Sequence, residues 1–533
     1  VSETSSDAEE LIAELEEVYE TDYEVGQDNI EGLGLDMHNP VFFVSAGLIV
    51  LFVVISLVFP DAAKAGLEGT KAWIQVVFDW VLLSAGNVFV VFCLALVLLP
   101  VGRIRIGGDD AEPDFSLISW FAMLFAAGIG IGLMFWGVAE PAAYYTDWYG
   151  TPLDIEAFTE QARPAALGAT MYHWGLHPWA IYAVVSLALA FFAYNKGLPL
   201  TIRSTFYPLL GDRIWGWPGN VIDVLAVLAT IFGLATSLGF GAQQAAAGLG
   251  FLFDLGGGLS TQLTIIACVT ALALVSVLRG IDGGVKLLSN INMGLAFLLL
   301  MFVIIAGSIP AFLSNYGQTL AGYADYILPL SNPVGRSDDT FYHEWTIFYW
   351  AWWISWSPFV GMFIARVSRG RTVRQFLTAV LLVPTLVTTI WMAAFGGSGL
   401  DQIEQGIGDD ALVLFQMLDN LPLSTITSML GIGLVLVFFV TSSDSGSLVI
   451  DSITSGGKTD APVTQRVFWA TMQGVIAAVL LSLGGTAALD ALQAGAVSTG
   501  LPFTFVLLAM CVSLALGLSH EHQLNRAIEA VET

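Results

Sequence analysis

Apolar runs recur along the chain at about 41–59, 73–100, 117–145, 165–194, 217–250, 261–278, 284–307, 343–365, 375–396, 424–453, 465–485 and 490–518. Each is near or above the roughly 20 residues that a helix needs to cross a bilayer. The pattern predicts an all-α polytopic membrane protein with twelve transmembrane helices. Polar segments flank and divide them: an acidic tail (1–38), loops among two N-terminal helices (39–116), an outer connection (308–342) and a short tail (519–533). The acidic tail reads as solvated, with a short amphipathic helix over Glu9–Tyr19 as one alternative to disorder. Within the outer connection, Leu313–Leu328 has the pattern of an interfacial amphipathic helix.

The composition agrees with a bilayer as solvent. Of 533 residues, 56% are hydrophobic and 12% charged, more apolar surface than a water-soluble fold of this size can bury. The 18 Lys and Arg fix an orientation. With the amino terminus inside, 14 fall on inner loops and 4 (Lys64, Lys71, Arg163, Arg336) on outer ones, which predicts a plasma-membrane protein with both termini cytoplasmic. The net charge of −27 sits largely outside the membrane: residues 1–38 hold thirteen Asp or Glu and no Lys or Arg. Such a surface suits high salt, as in a halophile, and disfavours nucleic acid. Three cysteines, all in apolar runs, imply no disulfide framework. The polar, acidic start does not have the basic-then-apolar pattern of a cleaved leader.

Three stretches carry chemistry. In the third run, Gly128, Gly130 and Gly132 alternate, which favours local unwinding. Unwound backbone at membrane depth is tolerated where it lines a polar cavity; close helix packing through Gly128 and Gly132 is the other reading. In the fourth, Trp174, Trp179 and Tyr182 spread over about 140° of an ideal helix, and Pro178 is expected to bend it. His173 and His177 read as hydrogen-bonding groups in a packed bundle, since nothing supplies metal-ligand spacing. In the eighth, Trp352, Trp353 and Trp356 share one face at mid-depth, where tryptophans of the headgroup belt do not belong. Aromatic faces on both runs can enclose a quaternary ammonium, which has no hydrogen-bond donor. The tenth run holds Thr441–Ser447, all hydroxyl, carboxyl or glycine, suited to a hard monovalent cation and including the intramembrane Asp444. Thr230, Thr236 and Ser237 are weaker candidates of the same kind.

The strings GIGIGLMFWGVAEP (128–141), WGLHPWAIY (174–182), WAWWISWSPFVGMFIARVSRGRT (350–372) and TSSDSGS (441–447) resemble the betaine/choline/carnitine transporter family. The resemblance implies two inverted five-helix repeats, spans 3–7 (117–307) and 8–12 (343–518), alternating access and a homotrimer in membrane lipid. It implies a substrate cage of Trp174, Trp179, Tyr182 and Trp353, lined further by Trp352 and Trp356 and by the glycine run. It implies sodium as the coupling ion and no cofactor. One sodium site would use backbone at Ala126 and Ile129 with Phe438, Thr441 and Ser442; another would use Thr230 and Phe359. The family's usual second threonine of that other site is Leu234 here. Gly132 is similar to betaine carriers, whereas choline carriers tend to have Asp there. The C-terminal tail is too short for the long basic helix of osmosensing members. A sodium-coupled glycine betaine importer follows, with a choline or carnitine carrier or a sodium-independent exchanger as the alternatives. An intramembrane hydrolase (Ser442 or Ser445 with Asp444 and His177) and an ion channel are the readings from other classes. Glu140 matches the family but suggests no role by itself.

Overall fold

A computed structural model describes residues 2–128, 130–279, 286–403, 406–408, 411–458 and 460–532. Its helices, in chain order, are α1 (Ser2–Glu17), α2 (Val41–Val58), α3 (Pro60–Val77), α4 (Asp79–Leu98), α5 (Leu117–Gly128), α6 (Ile131–Thr146), α7 (Ala162–Trp174), α8 (Leu176–Tyr194), the single turn α9 (Tyr207–Leu210) and α10 (Trp217–Phe253). They continue with α11 (Leu259–Arg279), α12 (Lys286–Ala306), α13 (Ile309–Leu330), α14 (Asp339–Phe341), α15 (Phe348–Arg366), α16 (Val373–Asp401), α17 (Val413–Asp419), α18 (Ser424–Thr454), α19 (Val463–Gly484) and α20 (Ala488–Glu532). A wider π-helical segment, Tyr342–Ile347, leads into α15.

Among the described residues, ten helical segments are long and apolar enough to cross a membrane. The third and eighth sequence runs are not among them, and each for a physical reason. The third breaks between α5 and α6, leaving pieces of 12 and 16 residues. The eighth, α15, has 19 residues, but its tryptophans, serines and Pro358 lower its hydropathy. Burial separates inner from outer helices. The most apolar window of α7–α8 is 89% buried, against 28% in α2 and α12, so the bundle is built around α7, α8, α15, α10 and α16, with α2, α11 and α12 presenting apolar side chains outward.

Four boundaries differ from the sequence reading. The second span begins at Asp79: residues 73–77 close the amphipathic α3, whose Lys71, Ile74 and Gln75 face inward while Trp73 and Val76 are exposed. The fourth run does not bend at Pro178. It breaks at Gly175 (φ −98°, ψ −128°), because Pro178 lies in the first turn of α8, where no amide hydrogen is needed. The Leu176 amide there donates to the Tyr323 hydroxyl of α13 at 2.9 Å. The amphipathic helix of the outer connection is longer than expected, and it meets α7 through Gly322 and Gly168 at a distance no side chain would permit. The last helix does not stop near 518 but runs to Glu532.

The acidic tail is folded against the body rather than solvated. α1 packs on α20, with Leu15 and Tyr19 buried. After it, strands β1 (Asn29–Gly32) and β2 (Leu35–His38) form an antiparallel hairpin, pairing Asn29 with His38 and Gly32 with Leu35. Its two turn residues, Leu33 and Gly34, both have positive φ (54° and 76°), as a type I′ turn requires.

Candidate functional site

The break in the third run opens onto a cavity of about 250 Å³, which Trp174 and Pro178, on either side of the break in the fourth, also line. All six aromatic residues singled out in sequence line it: Trp174 and Trp179, Tyr182, and Trp352, Trp353 and Trp356. Their rings enclose it from two sides. Trp174 meets Trp353 edge to face at 4.8 Å and 76°, Tyr182 meets Trp353 at 6.2 Å and 80°, and Trp179 meets Tyr182 at 5.5 Å and 80°. Trp352 stacks on Trp353 at 4.7 Å and 16°. The indole N–H groups of Trp174, Trp352, Trp353 and Trp356 are spent on the surrounding protein. Trp353 Nε1 donates to the His173 carbonyl at 2.8 Å, Trp356 Nε1 to the Gly233 carbonyl at 2.8 Å and Trp352 Nε1 to Ser237 Oγ at 3.2 Å. Rings tethered by their edges leave their π faces for a ligand.

The glycine run supplies the floor. Gly128 ends α5, Gly130 is extended (φ −157°, ψ −168°) and caps α6, and Gly132 lies in the first turn of α6. Gly130 and Gly132 both line the cavity. The first amide groups of α6 have no partner within the helix and carry the positive end of its dipole.

The cavity is also lined by Ala126, Phe438, Thr441 and Ser442, four members of the expected ion site; Ile129 lies outside the described residues. Thr441 Oγ1 is 3.1 Å from the Val437 carbonyl and 3.2 Å from that of Phe438. The other expected pair is not brought together in the same way. Phe359 lines the cavity, while Thr230 is fully buried and donates to the Ala226 carbonyl at 2.6 Å. Leu234 packs on Gly446 of α18, where an added Cβ would lie within 2.3 Å of its Cδ1.

Sequence reasoning missed Ser289 and Asn292 on the cavity wall, whereas Ser445, from the polar stretch it singled out, lines it too; both amide atoms of Asn292 are buried with no protein partner. Asp444, which it did single out, does not line the cavity; it accepts from Ser276 Oγ at 2.7 Å. The cavity wall contains no Asp, Glu, Lys, Arg or His among the described residues. His173 and His177 serve the packed bundle, as expected: His173 Nε2 meets Thr346 Oγ1 at 3.0 Å and His177 Nε2 meets Asn87 Oδ1 at 3.1 Å.

The sequence pattern of the BCCT, betaine/carnitine/choline family transporter, matches residues 40–523. The chain belongs to this family. It is 62% identical over 512 residues to glycine betaine transporter 1 of Vibrio parahaemolyticus, covering 94% of this chain and 98% of that one. A glycine betaine/proline/choline/ectoine transporter of the same organism is 59% identical, covering 94% and 91%. The glycine betaine transporter OpuD of Bacillus subtilis is 42% identical, covering 92% and 96%. Among solved structures, an Eremococcus coleocola manganese transporter covers 80% of this chain and 99% of its own with 11% identity and a TM-score of 0.41, a likeness too slight to carry an argument. This is therefore a multi-pass membrane transporter and not an enzyme.

In this BCCT protein a further residue stands behind the cage. Glu140 of α6 is fully buried and its two oxygens receive four groups. Tyr144 Oη and His173 Nδ1 each lie 2.8 Å from Oε1, and Trp174 Nε1 and Tyr349 Oη each lie 2.6 Å from Oε2. An acidic residue inside a span is a functional candidate by default; that signal was present in sequence, but nothing there showed which side chains it reaches.

Proposed function

We propose that the protein imports glycine betaine together with sodium by alternating access. The observation that carries this reading is a cavity walled by aromatic residues of two runs and bearing no ionised side chain among the described residues. A trimethylammonium group cannot donate a hydrogen bond and is held by π faces. A wall without fixed charge suits a zwitterion, which brings its own counter-charge. The betaine carboxylate would meet the amide end of α6 at Gly130 and Gly132, which has no competing anion. The names of the 62%, 59% and 42% identical relatives support the same ligand.

Sodium belongs with Thr441, Ser442, Ala126 and Phe438. Hydroxyl and carbonyl oxygens at a helix discontinuity suit a small, hard cation, and this wall faces the same cavity as the cage. Inverted repeats and a homotrimer rest on the family resemblance, and cytoplasmic termini on the Lys/Arg asymmetry. Uptake of labelled betaine into proteoliposomes, with an inward sodium gradient and with potassium in its place, tests the proposal. Saturable uptake that collapses without sodium supports it. Uptake indifferent to sodium overturns the coupling, and choline or carnitine uptake without betaine uptake overturns the substrate.

A further inference from the structure

The four donors to Glu140 come from α6, α7 and α15, which are separate in sequence. Two of them belong to Trp174 and its neighbour His173, and one to Tyr349, whose ring packs on Trp174 at 5.7 Å and on Trp353 at 5.8 Å. Trp353 in turn hangs from the His173 carbonyl. The opposed indoles of the cage are therefore indexed to one carboxylate that does not itself line the cavity. An indole can only donate through Nε1, so Glu140 Oε2 is the acceptor and this contact has one orientation.

We propose that Glu140 is a positioning residue for the substrate cation, acting through Trp174. Its 2.6 Å bond to Nε1 fixes the plane of the indole. The same bond draws the N–H proton outward and leaves the ring richer in electrons, as polarised hydrogen-bond chains do. Attraction of a cation to the ring face is electrostatic and grows with that density. The carboxyl group thus acts on the ligand through an aromatic face without itself standing on the cavity wall, where it would face the substrate carboxylate. This inference rests on the trimethylammonium reading given above.

The test is a double-mutant cycle in proteoliposomes with E140Q, W174F and the pair, measuring KM and maximal rate for betaine. E140Q alone is expected to raise KM by at least ~10-fold while the maximal rate stays within about threefold, a size in keeping with weakening of one buried hydrogen bond. On the W174F background the same change is expected to shift KM by less than about twofold. An unchanged KM for E140Q, or an equal shift on both backgrounds, overturns the inference, since a merely structural carboxylate would act regardless of the indole. A second measurement does not need transport or a stable E140Q: the resonance Raman difference between wild type and W174F should show a strongly hydrogen-bonded indole N–H, and a weakly bonded one overturns the inference. If the wild type takes up none of betaine, choline and carnitine, the substrate reading falls, while the Raman difference still decides the contact.

Discussion

A Cβ atom on Gly132 would lie 2.7 Å from Cη2 of Trp174 and 3.1 Å from Cη2 of Trp352. Carbon atoms do not approach so closely, and neither ring can swing away freely, because Trp174 is tethered to Glu140 and Trp352 to Ser237. The absence of a side chain at 132 is thus what lets the two indoles reach the start of α6. G132A is expected to push the Trp174 ring off its position and raise the KM for betaine by at least ~10-fold, about 1.4 kcal/mol. G132D adds a negative charge facing the betaine carboxylate and should lower betaine uptake further, with choline, which has no carboxylate, less affected. Competition uptake assays give both numbers. A wild-type KM in G132A would mean that the cage is not seated as described.

Trp353 has the most to lose among the cage residues, since it meets Trp174, Trp352 and Tyr182 together. W353L removes a π face and should weaken betaine binding by up to ~30-fold, about 2 kcal/mol, the upper end for a desolvated cation–π contact. Quenching of tryptophan fluorescence by betaine should weaken in parallel. Trp350 provides the contrast. It is fully buried and stacks on His177 at 5.2 Å, yet it does not line the cavity. W350F should lower thermal stability and leave KM near the wild-type value; an equal KM effect from both substitutions would argue against a localised cage.

The aromatic positions were legible because tryptophan at mid-span has no ordinary explanation, and 3.6-residue spacing already puts Trp352, Trp353 and Trp356 on one face. The helix break at Gly175 was not legible. Pro178 was the louder signal, but a proline in a first turn disturbs nothing, and what holds Gly175 open is Tyr323 from a helix almost 150 residues away. The fold of the acidic tail was hidden by its charge: α1 exposes most of its carboxylates and the tail docks through few apolar residues, Leu15 of α1 and Tyr19 just after it among them. Glu140 was visible as an acidic residue in a span, but its four partners come from three helices and no sequence window contains them all.

The proposed sodium site at Thr441 and Ser442 makes a prediction about number. Thr230 does not line the cavity, and Leu234, standing where the resemblance expects a second threonine, fills the space beside Gly446, so one ion site is counted here. Sodium activation of betaine uptake should then follow a Hill coefficient of about 1, since cooperativity is bounded by the number of coupled sites. T441A should raise the half-saturating sodium concentration by about 10-fold, the cost of losing one polar contact of roughly 1.4 kcal/mol, with a smaller change in betaine KM measured at saturating sodium. A Hill coefficient approaching 2 would point to a second ion, and a T441A protein with unaltered sodium activation would move the ion away from this wall.

The amino-terminal hairpin should undock as the pH falls. Asn29 Nδ2 donates to the Ser455 carbonyl at 2.9 Å, the Asp36 amide to Gln465 Oε1 at 3.0 Å and Lys458 Nζ to Asp36 Oδ2 at 2.5 Å, and Thr464 Oγ1 donates to the Gly34 carbonyl. The hairpin thereby bridges the end of α18 to the start of α19. At its edge His38 is buried, with Nε2 3.5 Å from Nη1 of Arg203, whose Nε is bound to Asp223 at 2.5 Å. Burial, and then the guanidinium beside it, lowers the imidazole from 6.5 to about 4. The neutral ring is therefore the docked form, and a freed hairpin takes up a proton at higher pH than a docked one. Docking is strongest above about pH 6.5 and weakens as the pH falls toward 4, by up to roughly 3 kcal/mol over the whole window. Hydrogen exchange of residues 29–38, measured by mass spectrometry between pH 7 and 4.5 and corrected for the intrinsic rate, should show protection falling over that window. H38Q, which cannot titrate, should flatten the profile. Protection independent of pH in the wild type, or a slope that persists in H38Q, would assign the hairpin's hold to other groups.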